Sequence, residues 1–361
     1  MNRRWICNDV WMDILPCFDR PQLGLKLALL SPRFNALVDK HFEGKSELTI
    51  WRRILIHKCK GPEPKLSEWI DGKFVHFPFP DRPLPSKIRF KRLRIDYIDH
   101  SVIAFLRANH QIFDKRGTDL QLWIPCSYTI DVQQIWDIFV REIWPIFSAN
   151  IRRLDFTDGD DLDNFRRRTS PTILTDLLNL NSIELRHLLP DSIGDDLDMQ
   201  NVTISAGQAL SKWLHIPRKD GQPKRLRCKD LDKQADFGWI NNFKEQFLRA
   251  NAISSVSYEI QFYIRAPSMQ IVPFELVNEW TKEKLTLAAK GWDIWIMNRC
   301  KIGETAAVHW ENENCYDWNT VLFWLYSGSN CIGPLSTPSA EVEDKAGQSI
   351  TKGPSPADND E

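Results

Sequence analysis

The sequence predicts an α/β fold, in which a small N-terminal helical unit precedes a longer region of strands and helices. Three observations carry this prediction. Residues 1–45 contain three short helical patterns, residues 88–270 alternate strand-like and helical segments, and residues 271–332 hold several strand-like segments close together. The chain has 361 residues, of which 42% are hydrophobic, and this suffices for one large domain and one small one.

Three helices are predicted in residues 1–45 from their caps and apolar positions. Asn8 or Asp9 is a candidate cap for the first helix, and Asp19-Arg20-Pro21 introduces the second, with proline in its first turn. Ser31-Pro32 begins the third. A unit this small buries little, so its surplus of apolar residues predicts a binding partner. A helical hairpin packed on the rest of the chain is the alternative.

A proline-rich connection is predicted for residues 46–87. It begins with a strand-like segment at 48–57, and prolines then crowd residues 77–85. Because proline fits neither a helix interior nor a central strand, we expect at most edge strands between residues 58 and 87. A stiff joint and an ordinary ordered loop are both compatible with this composition.

An irregular repeat is predicted for residues 88–270. Strand-like segments recur about 30 residues apart with helical patterns between them, which is typical of stacked α/β repeats. The leucine-rich-repeat consensus is not met, so we predict an irregular, leucine-rich-repeat-like curved sheet, with a compact α/β domain as the alternative. Ser205 is a candidate helix cap, whereas the acidic segment 158–163 is predicted to be a solvated loop with local charge pairing. The strand-like segments begin at Lys91, Asp119, Arg152, Asn181, Lys224 and Ser255.

A terminal antiparallel sheet is predicted for residues 271–332. Its strands are expected at 284–289, 292–297 and 306–311, with a turn at Lys290-Gly291. From residue 333 the chain is rich in serine, proline, glycine and charge. Residues 333–361 are therefore expected to be disordered.

Composition argues against several classes of function. The net charge of −1 disfavours binding of duplex DNA, which usually requires a basic surface. The apolar segment 321–326 is too short to cross a membrane, and the charged N-terminus does not resemble a secretory signal. The 8 cysteines include no Cys-x-x-Cys pair, so we expect free thiols in the reducing cytoplasm or nucleus and no structural zinc.

No pattern in the sequence indicates catalysis, a metal site or a cofactor. The glycines form no phosphate-binding loop, and His309-Trp-Glu311 lacks the Pro-Cys-x-x-Cys that accompanies such a pattern in zinc deaminases. The acidic segment 158–163 misses the spacing of a calcium loop. We therefore expect a binding protein, with an enzyme of unrecognised site or a binder of single-stranded RNA as alternatives.

One face of the predicted sheet is expected to bind a target protein. Where apolar and polar residues alternate along a strand, the two kinds lie on opposite faces. The polar residues of neighbouring strands would then form a continuous mixed-charge surface with much arginine, and Arg and Trp are the side chains that anchor interfaces. A merely solvated surface is the alternative. The predicted residues are Arg92, Arg94, Asp96, Gln121, Trp123, Arg153, Asp155, Glu184, Arg186, Arg225 and Arg227.

The N-terminal segment resembles the F-box, a short helical motif that docks onto the Skp-type adaptor of a cullin ubiquitin ligase. Asp9-Val-Trp-x-Asp-Ile-Leu corresponds to its first helix, Asp19-Arg-Pro-Gln-Leu to its turn and second helix, and Leu29-Leu-Ser-Pro-Arg-Phe-Asn-x-Leu-Val to its closing block. The match covers roughly an eighth of the chain. The remainder is similar, less specifically, to divergent, lineage-expanded F-box proteins of nematodes. The phrases Pro273-Phe-Glu-Leu-Val-Asn-Glu and Ile302-Gly-Glu-Thr-Ala-Ala belong to that similarity.

This resemblance implies a non-catalytic substrate receptor of a Skp–cullin–F-box ubiquitin ligase, without a cofactor. The N-terminal helices would bind the adaptor, and through it the cullin, while the α/β region holds a target protein for ubiquitin-dependent degradation. A protein-interaction scaffold without a ubiquitin role is the alternative. The residues expected to contact the adaptor are Val10, Ile14, Leu15, Phe18, Pro21, Leu23, Leu27, Phe34 and Leu37.

Overall fold

A computed structural model of the chain describes residues 6–43, 48–58, 61, 63–70, 73–80, 83–84, 88–114, 117–124, 130–191, 204–231, 238–251, 256–264, 271–291, 293–304, 319–325 and 331–335. Within them, helices accompany a large mixed sheet of 13 strands, which confirms the predicted α/β class. Helices are also present at the N-terminus, as predicted. The predicted strand at 306–311 and nearly all of the predicted disordered tail lie outside the described residues.

Short helices follow one another at the N-terminus. A wide helical turn of five residues, Leu23–Leu27, joins the second of them directly to the third. The predicted second helix is therefore one continuous helical path with a widened middle. The helices are α1 (Asn8–Ile14), α2 (Arg20–Gln22), α3 (Ala28–Leu30) and α4 (Pro32–His41).

Side-chain caps confirm two of the predicted helix starts. Asp19 Oδ1 accepts a hydrogen bond from the backbone amide three residues later at 2.7 Å, and Ser31 Oγ accepts the equivalent bond at 3.3 Å. The predicted cap at Asn8 or Asp9 is wrong, because both residues lie within α1. The Asn8 side chain instead accepts hydrogen bonds from Arg33 at 2.8 and 3.1 Å, which fasten α1 to α4.

The 13 strands form one sheet in the spatial order β10-β11-β12-β9-β8-β7-β6-β5-β13-β4-β1-β2-β3. In chain order they are β1 (Leu48–Lys58), β2 (Pro64–Ile70), β3 (Lys73–Phe77), β4 (Ile88–Ile95), β5 (Thr118–Trp123), β6 (Ile151–Phe156), β7 (Ser182–Arg186), β8 (Lys224–Leu231), β9 (Tyr258–Ile264), β10 (Phe274–Asn278), β11 (Glu283–Ala289), β12 (Ile294–Lys301) and β13 (Asn319–Trp324).

Parallel pairing dominates the middle of the sheet, and antiparallel pairing dominates its two ends. The strands from β1 across to β9 are all parallel to their neighbours. At one end β2 and β3 continue antiparallel from β1. The prediction of at most edge strands is wrong for β2, which pairs on both sides, because the dense prolines follow β3 and do not interrupt β2. At the other end β12, β11 and β10 continue antiparallel from β9, and the predicted turn at Lys290-Gly291 joins β11 to β12.

The position of β13 departs from the order of a simple repeat. Strands β5 to β9 keep their chain order, so each lies beside its predecessor. β13 comes much later in the chain but lies between β4 and β5, parallel to both. Residues far apart in sequence therefore meet at this strand.

Further helices connect the strands. Ser205 caps one of them as predicted, since its Oγ accepts a hydrogen bond from the Gln208 amide at 3.0 Å and the Gln208 side chain accepts one from the Ser205 amide. They are α5 (His100–Ala108), α6 (Gln111–Asp114), α7 (Ile130–Ile138), α8 (Trp144–Phe147), α9 (Gly159–Arg168), α10 (Ile173–Asp176), α11 (Ala206–His215) and α12 (Gly238–Arg249).

Helix α9 corrects the prediction of a solvated loop at 158–163. Asp158 Oδ1 accepts a hydrogen bond from the Asp161 amide at 3.0 Å and caps the helix. Aspartates follow in the first turn and arginines occupy the last, which is the arrangement that the helix dipole favours. Leu162 and Phe165 are buried beneath the helix. The predicted charge pairing is present, with Arg166 Nη1 at 2.8 Å from Asp163 Oδ1.

Apolar side chains of the helices pack on one face of the sheet. Phe147 of α8 contacts Phe323 of β13 edge to face, and Trp239 of α12 does the same with Phe262 of β9. Nearly all buried apolar residues of the described chain form one contiguous cluster, which reaches from Leu15 among the N-terminal helices to the last strands. The alternation of the strands sends their polar side chains to the opposite face.

Candidate binding surface

Strand register shows which polar side chains lie together, because directly paired residues on neighbouring strands point to the same side of the sheet. Two rows cross the sheet on the side opposite the helices, and we call this surface the polar face. The first row is Arg53, Arg92, Thr320, Asp119, Arg153, Ser182, Arg225 and Glu259. The second row is Leu55, Arg94, Leu322, Gln121, Asp155, Glu184, Arg227 and Gln261.

A pocket of about 230 Å³ opens on the polar face where the rows cross β13. This strand contributes Thr320 and Leu322, whose side chains are shorter than those of the arginines on the flanking strand β4. The surface therefore dips between taller neighbours. The pocket is lined by Arg53, Arg92, Leu93, Arg94, Asp119, Gln121, Arg153, Thr320 and Leu322.

An ion-pair network centred on Glu184 lies beside the pocket. The Glu184 carboxylate is 6% exposed and pairs with Arg153 on β6 and with Arg227 and Lys229 on β8. Arg153 Nε also lies 3.8 Å from Asp119 Oδ1 on β5. The network thus ties four neighbouring strands together and orients Arg153 at the pocket wall.

Burial changes the ionisation of the carboxyl groups in this network. It raises the pKa of Asp119 to about 6, although the nearby Arg153 opposes the rise. Burial also raises the pKa of Asp155, and the charge of Glu184 adds to that rise. For Glu184 itself, burial is outweighed by the adjacent Arg153, Lys229 and Arg227, which hold its pKa below the usual value. Of these three carboxyl groups, Glu184 is therefore the one that stays ionised to the lowest pH.

Two tryptophans stack where β5 and β13 end on the polar face. The rings of Trp123 and Trp324 lie 4.3 Å apart at an interplanar angle of 26°. Arg94 lies over Trp324 at 4.5 Å and Arg186 over Trp123 at 5.4 Å, so a cation covers each ring. Arg94 is held in addition by Asp96, with 2.6 Å between Nε and Oδ1. These contacts hold Arg94, which lines the pocket, in place.

The strands predicted to present the target-binding residues are neighbours from β5 to β8, whereas β13 separates β4 from β5, and alternation brings the predicted residues to the polar face. Arg92 is exposed, whereas most of the others are half-buried and Glu184 is buried. Glu184 is thus an internal tether rather than an accessible contact. Arg186, another predicted contact, forms an ion pair with Asp230, with 3.6 Å between Nη1 and Oδ2.

Several residues of the polar face were not predicted. Asp119 and Lys229 continue the alternation of their strands and were readable from that pattern. Arg53 was assigned to the connecting region, although β1 lies inside the sheet. Trp324 carries no local signal, because only the position of β13 beside β5 brings it to Trp123.

The residues predicted to contact an adaptor divide by burial. Four leucines among them are packed in the chain's own core, and a partner cannot reach these side chains while the helices stay as described. Ile14, Phe18, Pro21 and Phe34 are half-buried, and Val10 is 45% exposed. Leu30, which is 64% exposed, was not predicted as a contact. The four buried leucines are Leu15, Leu23, Leu27 and Leu37.

In the described part of the chain, no group of three or more His, Cys, Asp or Glu side chains could hold a metal ion. Among the same residues, no helix has both the length and the apolar character needed to cross a bilayer.

Comparison of the chain with protein-family models, with curated proteins and with solved structures gave no match. A functional proposal therefore rests on the N-terminal motif and on the geometry of the polar face.

Proposed function

We propose that the chain is a non-catalytic substrate receptor of a cullin-type ubiquitin ligase. In this proposal the N-terminal helices form an F-box-like unit that binds a Skp-type adaptor, and the sheet binds the target protein. The observation that carries the proposal is the F-box-like order of motifs between Asp9 and Val38. Helices at these positions, with Val10 exposed and other apolar residues half-buried, support it.

The polar face supports the second half of the proposal. It combines arginine, tryptophan and a pocket on one open surface, and interfaces are enriched in these two residue types. Strands β5 to β9 follow one another in order and in parallel, which supports an irregular leucine-rich-repeat-like sheet as the carrier of this surface.

The proposed role requires no bond chemistry from this chain. A receptor that holds the adaptor at one site and a target at another raises the effective concentration of the target near the ubiquitin-conjugating enzyme. The adaptor would connect the chain to the cullin, in the cytoplasm or nucleus. Duplex DNA and membranes play no part in this proposal.

Direct binding to a purified Skp-type adaptor tests the proposal. We expect the full chain to bind, and Val10→Asp to weaken binding at least about tenfold, because it buries a charge at an apolar contact. Val277→Asp is the matched control, since Val277 is 43% exposed on edge strand β10 and lies outside the N-terminal helices. No binding by the full chain, or equal binding by both variants, would contradict the proposed docking face.

A protein-interaction scaffold without a ubiquitin role is the second candidate. The observation that favours it is the burial of Leu15, Leu23, Leu27 and Leu37, since these side chains serve the chain's own core. In that case the N-terminal helices are part of the fold and the polar face is the functional surface. If the full chain is folded but does not bind the adaptor, the scaffold hypothesis is favoured.

A further inference from the structure

Two arginines of the pocket lie side by side without a carboxylate partner among the described residues. Arg53 on β1 and Arg92 on β4 are paired in register, and both are exposed. Like charges directly opposite each other on neighbouring strands destabilise a sheet unless a counter-charge lies between them. No described side chain supplies that counter-charge, although both arginines line the same pocket.

The other two arginines of the pocket are held in place by their neighbours. Arg94 is fixed by Asp96 and by the ring of Trp324. Arg153 is fixed by Glu184 and lies near Asp119. Side chains that are already oriented lose little conformational entropy when they bind a ligand.

The charge of the pocket lining is strongly positive. Among the described residues that line it, four carry guanidinium groups and Asp119 alone carries a carboxyl group. That carboxyl group lies 3.8 Å from Arg153, so even when Asp119 is ionised the remaining arginines leave the lining positively charged. Thr320 adds a hydroxyl at the pocket.

We propose that Arg53, Arg92, Arg94 and Arg153 form an oxyanion site that holds a phosphoryl group. Guanidinium forks match phosphate oxygens in pairs, and a dianionic phosphoryl group offers three acceptor oxygens to several arginines at once. A carboxylate has fewer acceptors and a single charge, and therefore matches this lining less well. The proposal goes beyond adaptor binding and stands whether or not the chain binds an adaptor.

The phosphoryl group has two possible sources, a free phosphate compound or a phosphorylated side chain of a bound protein. Titration of the full chain separates them with three probes: inorganic phosphate, a short phosphoserine peptide and the same peptide without phosphate. Tryptophan fluorescence is a suitable readout, because Arg94 covers Trp324 beside the pocket. Equal affinity for inorganic phosphate and the phosphopeptide indicates a free compound, and tighter binding of the phosphopeptide indicates a phosphorylated side chain.

Two variants test the assignment of the residues. Arg53→Gln and Arg92→Gln remove exposed charges with no described carboxylate partner, so both should fold. We expect each to weaken phosphate binding about tenfold to 100-fold, the loss typical of a hydrogen bond to a charged group. Arg249→Gln is the matched control, an exposed arginine on α12 whose loss should leave binding unchanged.

Rising salt should weaken the wild-type affinity, because the interaction is electrostatic. The proposal is overturned if neither phosphate probe binds the folded chain at low salt. It is also overturned if Arg53→Gln and Arg92→Gln bind phosphate as tightly as Arg249→Gln does.

Discussion

Glu184 is the carboxylate at the centre of the ion-pair network, and its replacement by glutamine should destabilise the sheet. The change leaves Arg153, Arg227 and Lys229 on adjacent strands without their shared counter-charge. Removing one partner of a buried ion pair costs about 3–5 kcal/mol. The three cations are 20%, 20% and 33% exposed, and solvent screens them in part. We therefore expect a loss of about 2–3 kcal/mol in the free energy of unfolding.

The loss of stability caused by Glu184→Gln should also depend on pH. The pKa of Glu184 is held below its usual 4.5 in the folded chain, so its contribution to stability is present at neutral pH. That contribution is lost as the pH falls through the folded-state pKa. The difference between wild type and Glu184→Gln should accordingly shrink in acid.

Urea unfolding followed by circular dichroism measures both effects. Glu245→Gln is the control, because Glu245 pairs with Arg249 on the exposed surface of α12 and should contribute little. The reasoning is refuted if Glu184→Gln loses no more stability at pH 7.5 than the control does. A difference that does not change with pH would refute the assigned ionisation of Glu184.

The remaining predictions concern Asp119, the Arg299–Glu283 pair and Trp324. Because the pKa of Asp119 is raised to about 6, its ionisation should cost the folded chain up to about 3 kcal/mol as the pH rises from 4 to 7. In a urea series across this range, wild type should therefore lose more stability than Asp119→Asn. Arg299→Met breaks the ion pair with Glu283, whose two side chains are 6% and 1% exposed, and should cost about 3–5 kcal/mol in thermal unfolding. Adding Glu283→Gln should recover much of this loss, because it removes the unpaired buried charge. No recovery would argue against that charge as the cause. Trp324→Ala removes the stacking with Trp123, so it should reduce the near-ultraviolet circular dichroism and lower the free energy of unfolding by at least about 1 kcal/mol. An unchanged spectrum would contradict the stacking.

Local patterns in the sequence were enough for many elements of the fold. The strands from β4 to β9 lie at the predicted segments, and Asp19, Ser31 and Ser205 cap helices as predicted. Both signals depend only on residues a few positions apart, because alternation and capping are set by the backbone of a single element. For the same reason, the shared face of Arg94, Asp155 and Glu184 could be predicted before their strands were seen together.

Helix α9 shows where a local pattern was misjudged. The cluster of charges at 158–163 predicts a solvated loop, but the acidic start and the basic end are also typical of a helix with favourable dipole interactions. Leu162 and Phe165, spaced by three residues, were the available signal for a buried helical face.

The sequence alone was sufficient for the α/β class, for the N-terminal helices and for the polar character of one sheet face, because each follows from periodicity within a segment. It could not reveal that β13 inserts between β4 and β5, since strand neighbours depend on long-range pairing. The pocket, the Trp123–Trp324 stack and the neighbouring arginines Arg53 and Arg92 all follow from such pairing. The burial of Leu15 and Leu23 was hidden in the same way, because whether an apolar residue faces a partner or the chain's own core depends on which distant elements pack against it.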